Sequence, residues 1–160
     1  MQDFFVMDDS PKSYNPILPR AILIGFYIAM VIGFVHMMEY ITHIRLTIGK
    51  FHINYLVFFA LVYFGVKIFR DHKLDGTIAF SKAMALGVLS CGIAGFLLGL
   101  NYYIYATSVH LSNTKVMMAE WINLGDRNPN SAVVFIILFT LIVGFIFSII
   151  VAVILNKQQK

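Results

Sequence analysis

Residues 132–155 read AVVFIILFTLIVGFIFSIIVAVIL, twenty-four positions without one Asp, Glu, Lys or Arg. As an α-helix this stretch is about 36 Å long, enough to cross a hydrocarbon layer of roughly 30 Å. Ala21–Met38 and Ala83–Ala106 have the same character. Ile53–Val66 is shorter, and crosses if Lys67 extends its ammonium to the interface. The pattern predicts an all-α integral membrane bundle of four transmembrane helices with short loops, its spans at about 18–38, 51–69, 78–106 and 131–155.

Composition supports this. Hydrophobic residues make up 59% of the chain and charged residues 12%, against about 25% charged in soluble domains. The segments between spans are too short to build a core of their own. Residues 1–160 are therefore expected to form a single domain. The pI of about 9.2 does not point to nucleic acid, because the Lys and Arg residues are spread over every loop and form no basic stripe. Cys91, the one cysteine, lies inside a span and has no intrachain disulfide partner. The N-terminal segment, with Asp3, Asp8, Asp9 and Pro11, Pro16 and Pro19, does not resemble a basic signal-peptide start. The first apolar run is expected to stay in the protein as its first helix.

Basic residues orient such a bundle. Lys12, Arg20, Lys67, Arg70, Lys73, Lys82, Lys157 and Lys160 fall on one side, and Arg45, Lys50, Lys115 and Arg127 on the other. Eight against four favours both termini in the cytoplasm.

Small residues recur every fourth position in three spans. Span three has Ala79, Ala83, Gly87, Cys91, Gly95 and Gly99; span one has Gly25, Ala29 and Gly33; span four has Thr140, Gly144, Ser148 and Ala152. In lipid, helices gain nothing hydrophobic by pressing together, and association depends on close backbone approach. Gly25, Ala29, Gly33, Gly87, Cys91, Gly95, Gly99, Gly144 and Ser148 are the expected packing residues. Intramolecular packing of the four helices is the simplest use of them, and a homodimer seam is the alternative.

The connector Lys67–Gly76 reads as a charged turn. Asp75–Gly76 is a turn pair, and Thr77 is placed to cap the helix entering span three. No glycine-rich phosphate loop accompanies it.

Around this connector a family resemblance appears. The run Tyr63–Phe64–Gly65–Val66–Lys67–Ile68–Phe69–Arg70–Asp71, then Gly76–Thr77–Ile78–Ala79–Phe80–Ser81–Lys82–Ala83 and Gly87, resembles the signature of a small membrane-protein family, domain of unknown function 4199. The ending Gly144–Ala152, closed by Asn156 and Lys157, is similar to that family's last helix. The resemblance covers spans two to four and is weaker in the N-terminus and third loop. It implies a four-span protein of the bacterial inner membrane, and it implies no activity.

On the side opposite the termini, His36, Glu39, Tyr40 and His43 share one helical face if span one continues. With His110 from the third loop, His36, Glu39 and His43 are the candidate ligands for a transition metal. The spacing matches no strong metal motif, and the simpler reading is an interfacial rim. In the third loop, Met117, Met118, Trp121 and Ile122 form one face of an amphipathic segment, which Ser112 would cap and Gly125 through Pro129 would stop. Such a segment lies flat at the membrane surface, anchored by its tryptophan.

No catalytic constellation emerges. Glu39, Glu120 and Asp126 read as loop acids without an identifiable partner. No cofactor and no enzymatic activity is expected. The remaining classes are a non-catalytic protein acting on other membrane components through helix or loop contacts, and a small binder or transporter of a metal ion or apolar molecule.

Overall fold

The computed structural model describes residues 17–42, 47–48, 51–74, 76–108 and 129–157. The chain runs from α1 (Ile17–Thr42) through two short strands, β1 (Thr47–Ile48) and β2 (Phe51–His52), into α2 (Ile53–Lys73). Then come α3 (Phe80–Ser108) and α4 (Pro129–Lys157). Each of the four helices is long and apolar enough to cross a membrane, over Ile17–Glu39, Ile53–His72, Phe80–Ile104 and Asn130–Lys157. Within hydrocarbon a backbone must satisfy its own polar groups, and uncharged apolar runs of this length do so as helices. The amphipathic segment read in the third loop lies outside the described residues.

The boundaries differ from the sequence reading at four places. The second span does not start at residue 51, because Phe51 and His52 pair antiparallel with Ile48 and Thr47 in a small ribbon, and the helix starts at Ile53. Thr77 does not cap α3. Its hydroxyl and its backbone N–H both donate to the Leu74 carbonyl, at 3.2 and 2.9 Å, so it closes the end of α2 instead. α4 opens at Pro129, ahead of the expected boundary near residue 131. In the first turn of a helix a missing N–H costs nothing, which suits proline. Glu39 belongs to α1, not to a loop.

At the end of α2 the Arg70 carbonyl accepts the N–H of Leu74 (3.1 Å) and that of Gly76 (3.2 Å). Gly76 has φ +80°, the left-handed backbone that turns the chain out of the helix.

Helix directions follow from which residues face each other. Gly25 faces Ser90 and Ile93, and Gly33 faces Asn101, so α1 and α3 run parallel. Gly87 faces Ser148 and Gly95 faces Thr140, so α4 runs antiparallel to α3. Gly65 of α2 meets Ile24 of α1. α3 thus lies between α1 and α4, and α2 packs across the bundle against α1 and α4. Ile28, Val62, Val66, Leu86, Val151 and Leu155 are fully enclosed at its centre. The start of α1 and the end of α4 lie at the same end of the bundle.

The perimeter is apolar. Leu18, Ile22, Phe26, Met30, Phe34 and Met38 form an exposed stripe along α1, and Leu138, Ile142, Ile146 and Ile150 a matching one along α4. Patches of this length are rare on soluble monomers. In a bilayer they are the surface that lipid covers.

Candidate functional site

The bundle departs from plain apolar packing in three places. The first is the seam between α3 and α4. A β-carbon on Gly87 would stand 2.5 Å from Ser148 Oγ, and one on Gly95 would stand 3.0 Å from Thr140 Cβ. A β-carbon on Gly99 would meet Ile137 and Val133 at 3.2 Å. Cys91 lies against Gly144. Gly87, Cys91 and Gly95 therefore meet Ser148, Gly144 and Thr140 in step, four residues at a time in opposite directions, and Gly99 follows between Ile137 and Val133. The first-span residues are used differently. Gly25 seats the Ser90 carbonyl, a β-carbon there falling 2.6 Å from that oxygen; Ala29 is largely buried; and Gly33 is open enough that the nearest atom, Asn101 Nδ2, is 3.7 Å away.

Among the described residues two hydroxyls are fully buried in this packing, Ser90 and Ser148, and both bond to their own helices. Ser90 Oγ donates to the Leu86 carbonyl at 2.8 Å, and Ser148 Oγ to the Gly144 carbonyl at 2.6 Å. Such back-bonds let a polar side chain exist in hydrocarbon without a ligand. The contact of α2 with α4 is aromatic, with Phe58 and Phe59 at 5.7 and 5.3 Å from Phe147.

The second place is the terminal end of α2. Arg70, largely buried, donates from Nε to Asp71 Oδ1 at 2.7 Å. Lys67 turns back so that its ammonium lies 5.9 Å from the centre of the Tyr63 ring.

The third lies at the opposite end, where α1 finishes and α2 begins. The Asn54 amide nitrogen donates to Glu39 Oε2 at 3.4 Å. Asn54 is buried, and its side-chain oxygen has no hydrogen-bond partner. In the sequence Asn54 is inconspicuous, because one asparagine at the head of an apolar run looks like a span boundary. What marks it is its position on the helix that returns beside Glu39. His36 and Glu39 both stand on α1, half-buried, while His43 and His110 lie outside the described residues. Among the described residues no three His, Cys, Asp or Glu side chains come together.

These features define a multi-pass membrane protein whose described residues include four helices able to span a membrane, closely packed through small residues. The chain belongs to the family described as Protein of unknown function (DUF4199), whose model matches residues 23–157. No curated protein and no solved structure matches the chain.

Proposed function

We propose that this is a non-catalytic protein of the bacterial inner membrane, with both termini cytoplasmic, that acts through contacts with other membrane components. The observation that carries this reading is the chemistry of the side chains buried in the bundle. Among the described residues, the buried polar side chains away from the two ends are Ser90 and Ser148, each bonded to its own helix backbone. A pathway for ions or polar substrates is ordinarily marked by intramembrane ionisable groups facing a cavity. The centre here offers none among the described residues. The small residues of α3 and α4 face each other within the chain, which leaves the helix ends, the loops and the large apolar perimeter for partners. Eight basic residues on the terminal side support the cytoplasmic orientation.

The test is purification of the full chain in mild detergent with quantitative identification of co-purifying membrane proteins. A partner recovered with the parent, and lost when loop residues are replaced, supports the reading. Uptake of a solute by vesicles holding the purified chain alone would replace it with the alternative, a small transporter.

A further inference from the structure

We infer that Lys67 and Lys157 hold the phosphate of an acidic phospholipid at the terminal end of the groove between α2 and α4. Such a site is separate from the functional reading above and requires only that the helices cross a bilayer. The ring of Tyr55 meets that of Phe139, and the rings of Phe58 and Phe59 meet that of Phe147, so α2 and α4 run parallel. Lys67 stands nine and eight residues beyond Phe58 and Phe59, and Lys157 ten beyond Phe147. At a rise of about 1.5 Å per residue, the two lysines lie about 12–14 and about 15 Å past the ring contact, within one turn of each other.

Lys67 lies inside its spanning segment, which runs on to His72. Its ammonium stands 5.9 Å from the centre of the Tyr63 ring, which belongs to the turn below it in the bilayer. Among the described residues no carboxylate pairs with Lys67 or with Lys157. Asp71, one turn along α2, accepts from Arg70 Nε at 2.7 Å. Arg70 and Asp71 balance each other, which leaves Lys67 and Lys157 as two positive charges at this end of the groove. An ammonium within a span is costly without a counter-ion. The anion that a bilayer itself supplies is a lipid phosphate. Ile146 and Ile150 are exposed on α4, eleven and seven residues before Lys157 and on the same side of the helix. An acyl chain laid along them brings its phosphate to the lysines. A zwitterionic lipid carries its own cation beside the phosphate, whereas an acidic lipid leaves the charge to the protein. Basic residues at headgroup depth draw acidic lipids for this reason.

Phosphatidylcholine is the matched control, because it has the same phosphate with a cation attached. The full chain is reconstituted in nanodiscs of phosphatidylcholine, or with half of it replaced by phosphatidylglycerol, and its thermal unfolding is followed. The expected result is a higher Tm with phosphatidylglycerol, largely lost in the Lys67→Gln/Lys157→Gln variant. The gain should persist in Arg20→Gln/Lys82→Gln, which removes as much charge from the same end of the bundle on α1 and α3. Native mass spectrometry of the parent should show phosphatidylglycerol retained over phosphatidylcholine by roughly tenfold or more, the scale of two basic residues at a membrane surface. Equal losses in the two double variants would assign the preference to the charge of the whole surface and overturn the site. An unchanged gain in Lys67→Gln/Lys157→Gln, equal retention of the two lipids, or the same Tm rise from inorganic phosphate in phosphatidylcholine discs also overturns it. Should the variants fail to fold, a phosphatidylglycerol with a photoreactive acyl chain decides it on the parent. Labelling concentrated on α2 and α4 supports the site, and labelling spread evenly over the four helices overturns it.

Discussion

Gly144 and Cys91 stand opposite each other across the α3–α4 seam so closely that a β-carbon on Gly144 would overlap the β-carbon and sulfur of Cys91. Four residues away in each direction the same arrangement repeats, with Gly87 against Ser148 and Gly95 against Thr140. Each contact is small on both sides, so the two backbones approach along several turns. Without a hydrophobic force between helices, the gain comes from dispersion between atoms brought this close. A branched residue in place of Gly87, Gly95 or Gly144 would push the two backbones apart at that turn.

The register can be tested by cross-linking. In a Cys91→Ala background, Gly95→Cys combined with Thr140→Cys should form a disulfide within one chain on mild oxidation. A β-carbon on Gly95 stands 3.0 Å from that of Thr140, so the helices need to part by roughly half an ångström to reach disulfide geometry. The product should migrate as a monomer on a non-reducing gel. A dimer band in place of it would assign the seam to a contact between two copies.

Gly25 and Gly33 look interchangeable in the sequence, and the structure separates them. A methyl on Gly25 would fall 2.6 Å from the Ser90 carbonyl oxygen, a backbone atom that cannot swing aside. Gly25→Ala should cost on the order of 1–3 kcal/mol, as overpacking does elsewhere. Gly33→Ala meets nothing nearer than 3.7 Å and should be close to neutral. Unfolding in detergent, followed by heat or denaturant, compares the two directly. Equal losses would mean that α1 is not seated on α3 as described.

The contrast shows which parts of the molecule can be read from a chain like this one. The spans are legible because lipid imposes one rule on all of them: a run without charge, long enough to cross, becomes a helix. The four-residue ladders are legible as packing surfaces for a similar reason. Which ladder meets which is not, because Gly25 and Gly33 differ in their neighbours and not in their spacing. The small ribbon before Ile53 and the turn at Thr77 escape for another reason: a few hydrogen bonds at a helix end decide them, and those depend on neighbours in space. The Glu39–Asn54 pair is hidden more deeply. Its members are fifteen residues apart, and only the antiparallel return of α2 beside α1 joins them.

Gly76 supplies a prediction about the turn. Its φ of +80° lies in the left-handed region, and among the described residues no atom beyond its chain neighbours lies within 4 Å of where its β-carbon would stand. The cost of Gly76→Ala is then backbone strain alone, about 1–2 kcal/mol. Gly76→Asn should lose less, since asparagine tolerates this conformation better than alanine. Thermal unfolding of the two variants should rank them in that order. The reverse order would show that the turn leaves the left-handed region without consequence.

The orientation of the bundle yields the last prediction. Arg20, Lys67, Arg70, Lys82 and Lys157 all lie toward the end of the bundle that carries the start of α1 and the end of α4, and short basic loops are retained on the cytoplasmic side. A reporter active only in the cytoplasm, fused after Lys73, should be active, and the same reporter fused after Lys115 should be silent. A periplasmic reporter should give the opposite pattern. The α2–α3 connector also tests what holds the orientation, because its basic residues should govern it. Replacing Lys67, Lys73 and Lys82 by glutamine removes three of the eight basic residues on that side and leaves four on the other. The bias falls to five against four, so a mixed population with both reporters partly active is expected. Unchanged reporter signals in that variant would mean that helix packing, and not loop charge, sets which way the protein faces.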